Sequence, residues 1–375
     1  MSARTTPPFR ADHVGSLLRP PVLLKARQEF ADGTIPHDEL RAAEDTAVRD
    51  AVKMQQDIGL RSITDGEFRR TSWHMDFIYQ IAGVTKVDSP MKSVFHNEGG
   101  TIEFTPSAVR VTGKLGMDHT IFGPDFEFLK SNVDNGTAKL TIPAPSLVHY
   151  RGGQAAIDPA VYATMDEFWN DLGAAYGEEV RRLGEIGCTY LQFDDTSLAY
   201  LNDPKQREEM AQKGADAEHQ HEIYIRTINQ ALKDKPADMS VTAHLCRGNF
   251  RSSWVAEGGY DYVAEALFGE LNIDGYFLEY DDERSGGFEP LRFVPKGKYV
   301  VLGIVTSKKG ELESKDALKR RIEEASRYVD LDQICISPQC GFSSTVEGNS
   351  VTYEQQVTKL RLVVETAEEV WGDAG

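Results

Sequence analysis

Three short stretches of the chain carry residues suited to holding one metal ion: His244-Leu245-Cys246 in VTAHLCRGNF, Glu279 in IDGYFLEYDDE, and Cys340 in ICISPQCGF. Each follows directly on a short apolar run. Two thiolates, one imidazole and one carboxylate make a tetrahedral set for Zn2+, which accepts sulfur, nitrogen and oxygen ligands alike. In His-x-Cys at a strand end both side chains point the same way, because side chains alternate with period two. Taken singly, a cysteine or histidine after an apolar run is more often a packing residue. All four together at strand ends favour a metal site. A structural zinc usually draws on closely spaced CxxC pairs, which this sequence lacks, so a catalytic ion is expected. Cys188 and Cys335 have no ligand-like neighbours and read as packing residues.

Residues so far apart in sequence meet only if the fold gathers strand ends at one place. Strand patterns occur at 11–17, 61–67, 139–145, 189–195, 240–246, 274–280, 299–306 and 333–340. Several are continuous apolar runs, as expected of strands buried on both faces. Amphipathic helices are predicted between them, over 37–59, 165–187 and 313–329, the last with Ser314 as N-cap. Eight strand–helix units predict an α/β fold, a (β/α)8 TIM barrel, as a single domain over 1–375. The rhythm breaks over 76–138, which contains a Gly-Gly and alternating strand patterns; it reads as a β-rich insertion, a hairpin or flap between strands 2 and 3.

Barrels build active sites at the C-terminal ends of their strands. Here those ends carry Gly15-Ser16, Asp65, Glu67, Asp194-Asp195, His244, Cys246, Glu279, Thr306 and Cys340. The carboxylates Glu67, Asp194 and Asp195 have two readings: pairing with Arg69, Arg70 or Arg247, or binding a substrate ammonium group. The residues alone do not choose between them.

The 375-residue chain has a formal net charge of −18, which disfavours nucleic acid and anionic membrane surfaces as partners. No apolar run approaches membrane-spanning length, and the first residues, MSARTTPPFRADHVGS, lack the apolar core of a secretory signal. Four unevenly spaced cysteines are too few for a disulfide scaffold, so free thiols and a cytoplasmic location are expected. A small-molecule partner is expected, and homo-oligomerisation stays open.

The phrases HVGSLLRP, ITDGEFRR, LQFDD, HLCRGN, LEYDDERSGGFEPL, LGIVTSK and SPQCGF carry a family resemblance. Over roughly residues 10–372 the chain resembles the catalytic C-terminal barrel of the cobalamin-independent methionine synthases. It is more similar to the short single-barrel bacterial methionine-synthase-like proteins, which lack the additional N-terminal barrel. The resemblance implies a methyltransferase that makes methionine from homocysteine, with Zn2+ held by His244, Cys246, Glu279 and Cys340. It implies homocysteine contacts at Ser16, Glu67 and Asp194, which favours the ammonium-pocket reading of the carboxylates. On the donor side the chain departs from the family. The family's His-Ser after strand 7, whose histidine donates a proton, is Thr306-Ser307 here; its stacking tryptophan falls near Tyr150; its arginine in the insertion corresponds to Arg110. The methyl donor is therefore expected to be a folate, a corrinoid or a sulfonium, with the last two needing no proton to leave. The expected chemistry is activation of a thiol, which free in water titrates near pH 8.5, for attack on a methyl group. Rival readings are an epoxide:thiol transferase-like enzyme acting on another thiol, a uroporphyrinogen-decarboxylase-like barrel without zinc, and a non-catalytic zinc-binding barrel.

Overall fold

The computed structural model describes residues 4–88, 93–97, 100–104 and 108–375. Among them the strands in chain order are β1 (Ser62–Ile63), β2 (Ala82–Val87), β3 (Ser93–Asn97), β4 (Gly100–Phe104), β5 (Ala108–Gly116), β6 (Thr137–Ala138), β7 (Leu140–Pro143), β8 (Tyr190–Asp195), β9 (Ser240–Leu245), β10 (Gly275–Glu279), β11 (Tyr299–Val305) and β12 (Ile334–Pro338). Strands β7 to β12 form one parallel sheet in sequential order. Nearly all of their residues are buried. That follows from helices covering the outside while strands of the far wall cover the inside. β6 leads into β7 and pairs in parallel with β1. Ala11 bridges in parallel to Ile336 of β12. Leu17 N–H donates to Gly66 O at 3.1 Å, and Thr64 Oγ1 donates to Gly15 O at 2.7 Å, so the N-terminal segment joins β12 to β1. The ring closes as the predicted TIM barrel.

Two predicted strands are much shorter than their sequence patterns. The one at 11–17 reduces to the single bridge at Ala11, and the one at 61–67 to Ser62–Ile63. Side chains take the ladder's place there. Gln55, buried in the helix His37–Asp57, accepts from Thr64 N–H at 2.9 Å and donates to Thr64 O at 2.8 Å. Positive φ angles then turn the chain at Gly15 (140°), Gly66 (67°) and Glu67 (60°), which ends any extended run.

The helices predicted near 37–59, 165–187 and 313–329 form over His37–Asp57, Met165–Glu185 and Lys315–Ala325. Thr164 and Ser314 cap the last two through hydrogen bonds from Glu167 N–H and Ala317 N–H. Between β1 and β6 the chain forms two antiparallel pairs, β2 with β5 and β3 with β4.

Alternation along the strands fills the barrel in layers. Val14, Phe277, Val301 and Cys335 pack together in the middle. Below them lies a fully buried polar floor: Lys139 Nζ sits 3.1 Å from Asp12 Oδ1 and donates to His13 O at 2.6 Å, and Tyr190 OH donates to Asp12 Oδ2 at 2.8 Å. Above them stand Asp194 and His244, neighbours across β8 and β9, with Glu279 on β10.

A buried charge that loses its partner costs about 3–5 kcal/mol. Lys139→Met is expected to destabilise the protein by about that much in denaturant unfolding. Lys53→Met, at the exposed Lys53–Asp57 pair 2.6 Å apart, should hardly move the curve. Equal shifts in the two variants would show that the floor pair does not support the barrel.

Candidate metal centre and adjoining cavity

His244 and Cys246 leave the end of β9 on the same side, as the His-x-Cys spacing requires. Glu279 is the last residue of β10, and Cys340 follows β12 by two residues. The structure brings the four together: one ligand atom from each lies within 4.8 Å of all the others, and all four residues are buried. The Cys246 and Cys340 sulfurs are 3.5 Å apart. Both ring nitrogens of His244 are buried without a hydrogen-bonding partner. Buried polar atoms are ordinarily satisfied, so two orphaned imidazole nitrogens beside two thiols and a carboxylate are what a metal site looks like from its protein side. The donor set fits zinc.

The electrostatics agree. Each cysteine perturbs the other most: hydrogen bonding from Cys246 holds the Cys340 thiol well below its ordinary pKa, and the same contact pushes Cys246 well above. Burial works against a charged His244, but Cys340, then Asp194 and Glu279, turn the net shift upward. Burial raises Glu279, against the pull of Lys308. Arg247 backs that carboxylate, with its backbone N–H 3.4 Å from Oε1 and Nη1 4.0 Å from Oε2. Arg247 is itself fixed by donating to Glu279 O and Tyr260 OH, both at 3.0 Å.

A cavity opens beside the four residues, and Ser16, Glu67 and Asp194 all line it. Glu67 Oε1 accepts from Thr141 Oγ1 at 2.8 Å and lies 3.5 Å from Arg70 Nη1, while its Oε2 is buried without a partner. Burial raises the Glu67 carboxyl above its ordinary range. Asp194 Oδ1 accepts from Gln192 Nε2 at 2.7 Å; burial pushes its carboxyl up to about 7, with Glu67 adding to the rise and His244 opposing it. Two carboxylates short of partners in one cavity suit a cationic ligand group. Asp195 is different. It accepts from Ser146 Oγ, Ser197 Oγ and Leu198 N–H at 2.8, 2.6 and 2.9 Å, and it does not line the cavity. Close packing sets the position of Ser16: a Cβ on Gly341 would stand 1.9 Å from Ser16 Oγ, so only glycine fits beside Cys340.

The residues expected on the donor side lie elsewhere. Thr306 Oγ1 accepts from Lys308 N–H at 3.3 Å, and its own N–H donates to Glu313 Oε1 at 2.8 Å; the buried Lys308 side chain pairs with Asp281 at 3.2 Å. Arg110 is exposed on β5, opposite Thr85. Tyr150 is buried, donates to Gln206 Oε1 at 2.8 Å, and meets Tyr200 edge-on with ring centroids 5.5 Å apart. None of the three is among the cavity-lining residues.

The structure adds cavity residues that strand-end reasoning missed. Trp73, His74 and Arg151 line it, and so do Asn249, Phe95 and Phe250. Phe95 on β3 and Phe250 approach with ring centroids 5.3 Å apart. Their chains are tied by two backbone hydrogen bonds between His96 and Trp254, at 2.7 and 2.9 Å. The insertion thus reaches over the loop that follows the His-x-Cys strand. The phrase HLCRGNF already held Asn249 and Phe250; Trp73, His74 and Arg151 carried no comparable signal, because they sit beyond the strand ends.

Comparisons with known proteins point the same way. The family described as "Cobalamin-independent synthase, Catalytic domain" matches residues 150–369, more than half of the chain. The Bacillus subtilis (strain 168) protein YxjH, described as uncharacterized, is 47% identical over 366 residues, covering 97% of this chain and 95% of that protein. A Listeria monocytogenes structure assigned as a vitamin-B12-independent methionine synthase is 40% identical, with a TM-score of 0.78, covering 99% of this chain and 100% of that one. A B12-independent methionine synthase from Shewanella sp. W3-18-1, solved with selenomethionine, shares the fold at 19% identity and a TM-score of 0.70, over 96% and 97% of the two chains. This chain belongs to the cobalamin-independent methionine synthase family of methyltransferases, through its catalytic domain.

Proposed function

We propose that the protein is a zinc-dependent thiol methyltransferase that makes methionine from homocysteine. The observation that carries this reading is the meeting of a buried cluster of two cysteines, a histidine and a glutamate with two partner-poor carboxylates in the cavity beside it. His244, Cys246, Glu279 and Cys340 would hold the ion. Zinc bound there supplies a Lewis acid that keeps a substrate thiol deprotonated at neutral pH while its sulfur remains nucleophilic.

The chain's own residues do the rest. The free Oε2 of Glu67 and the Asp194 carboxylate hold the substrate ammonium, and Ser16 stands beside them. Fixing that end of a short amino acid points its sulfur at the cluster, and such positioning can supply a large part of the rate. Arg247 keeps Glu279 in place. Phe95 and Phe250 cover the cavity and exclude water, which strengthens every charge interaction beneath them. We read the whole chain, 1–375, as one catalytic barrel and 76–138 as its flap. The free cysteines suit a reducing cytoplasm, and no helix among the described residues is long and apolar enough to cross a membrane. The donor is a folate, a corrinoid or a sulfonium, and direct comparison of the three separates them.

Zinc-loaded protein is to be incubated with homocysteine and, separately, methyltetrahydrofolate, methylcobalamin or an S-methyl sulfonium, with methionine as the readout. At least one donor should yield methionine, and Cys246→Ser should lose zinc and methionine formation together. A Cys246→Ser protein that keeps both would overturn the assignment. Asp194→Asn should keep its zinc and raise the KM for homocysteine on the order of 10- to 100-fold, the worth of one charge-assisted hydrogen bond. An unchanged KM would remove Asp194 from the acceptor pocket.

A further inference from the structure

The cavity has a second polar wall besides the residues assigned to the acceptor's ammonium. Arg151 follows the one-turn helix Leu147–Tyr150 and lines the cavity, partly exposed to it. Among the described residues its guanidinium has no hydrogen-bonding or ion-pairing partner; its electrostatic neighbours are the phenols of Tyr200, Tyr150 and Tyr79. An arginine in a protein stays charged and brings five donors. One that faces a cavity without a carboxylate partner is placed to receive an anion.

His74 lines the same cavity and is buried. Its ring stacks on Trp73, with centroids 4.3 Å apart. Nδ1 lies 3.1 Å from Ser72 Oγ, and Ser72 Oγ accepts from Met75 N–H at 3.3 Å. Ser72 Oγ can donate to Nδ1 while accepting from Met75 N–H, and in that tautomer the ring hydrogen is on Nε2. That Nε2 is buried and has no partner. Burial, with the Arg151 charge adding to it, keeps the ring neutral. The wall therefore offers one positive charge and one further N–H donor. That matches a single carboxylate; a dianionic phosphate would leave charge uncompensated.

This wall is distinct from the acidic one. Glu67 has its own arginine, Arg70 at 3.5 Å, and the hydrogen bonds of Glu67 and Asp194 come from Thr141 and Gln192, not from Arg151. We propose that Arg151, helped by His74 Nε2–H, is the subsite for a carboxylate carried by the methyl donor, and that it selects acidic donors over donors lacking an acid group. The inference rests on the methyl-transfer reading of the cavity. A carboxylate could come from the glutamyl tail of a folate or from a sulfonium acid, and a carboxylate-free cation would be repelled.

The test is calorimetric titration of zinc-loaded protein. The probes are p-aminobenzoylglutamate and 3-(dimethylsulfonio)propionate, with p-aminobenzamide and trimethylsulfonium as their carboxylate-free counterparts. One acidic probe should bind, and which one binds tells the two sources apart; its counterpart should not. Arg151→Gln should weaken that probe roughly 10- to 100-fold. Arg151→Lys should recover part of the loss, because it keeps the charge but not the fork. Homocysteine affinity and zinc content should stay unchanged in both variants, which also reports an intact fold. The proposal falls if neither acidic probe binds, if the counterparts bind equally well, if Arg151→Gln binds as tightly as the parent, or if homocysteine is the ligand weakened. Binding is read without turnover, so failure to form methionine would reject the proposed function and leave the subsite separately measured.

Discussion

Two cysteine sulfurs 3.5 Å apart, a carboxylate and an imidazole share a buried volume in which one atom from each lies within 4.8 Å of the rest. So much anionic character in so little space needs a cation, because neither thiolates nor a carboxylate stay charged in a low-dielectric site without one. The surroundings are arranged around that need. Arg247 and Lys308 contribute positive charge from behind, and the Lys308–Asp281 and Arg247–Tyr260 contacts keep those cations from moving into the cluster. Most of what the barrel does at this end is to hold these four side chains, from three strands, at one point.

The cavity next to the cluster divides by charge. Glu67 and Asp194 stand on one side with oxygen atoms unfilled or partly filled; Arg151 and His74 stand on another with unused donors. Such a division would keep two substrates each out of the other's place. The β3 hairpin is paired to the loop after β9 through His96 and Trp254 and brings Phe95 to the cavity. Below, the buried Asp12–Lys139–Tyr190 floor fills the barrel interior.

Much of this was legible in the residues. Period two along a strand places His244 beside Cys246, and the eight strand–helix units, with apolar runs behind β8 to β12, predict the barrel in which strand ends converge. The first two strands were not legible as they form, because Gln55 on a helix supplies hydrogen bonds that a ladder would have supplied and the positive φ angles at Gly15, Gly66 and Glu67 turn the chain early. Arg151 and His74 escaped because nothing local distinguishes an unpartnered arginine or a buried histidine from a paired one. That difference lies in what the fold brings near them. Thr306 shows the converse: at a position matched to a functional histidine by resemblance, its hydroxyl accepts from Lys308 N–H in its own loop, and it does not line the cavity.

The central claim is that one zinc ion is held by two sulfurs, one imidazole nitrogen and one carboxylate oxygen in a site that takes a substrate thiol. X-ray absorption at the zinc edge, on the protein before and after addition of homocysteine, tests it most directly. The account predicts one zinc per chain with two sulfur and two nitrogen or oxygen neighbours, rising to three sulfurs when homocysteine is added. A first shell without sulfur, or a sulfur count that homocysteine does not change, would contradict it.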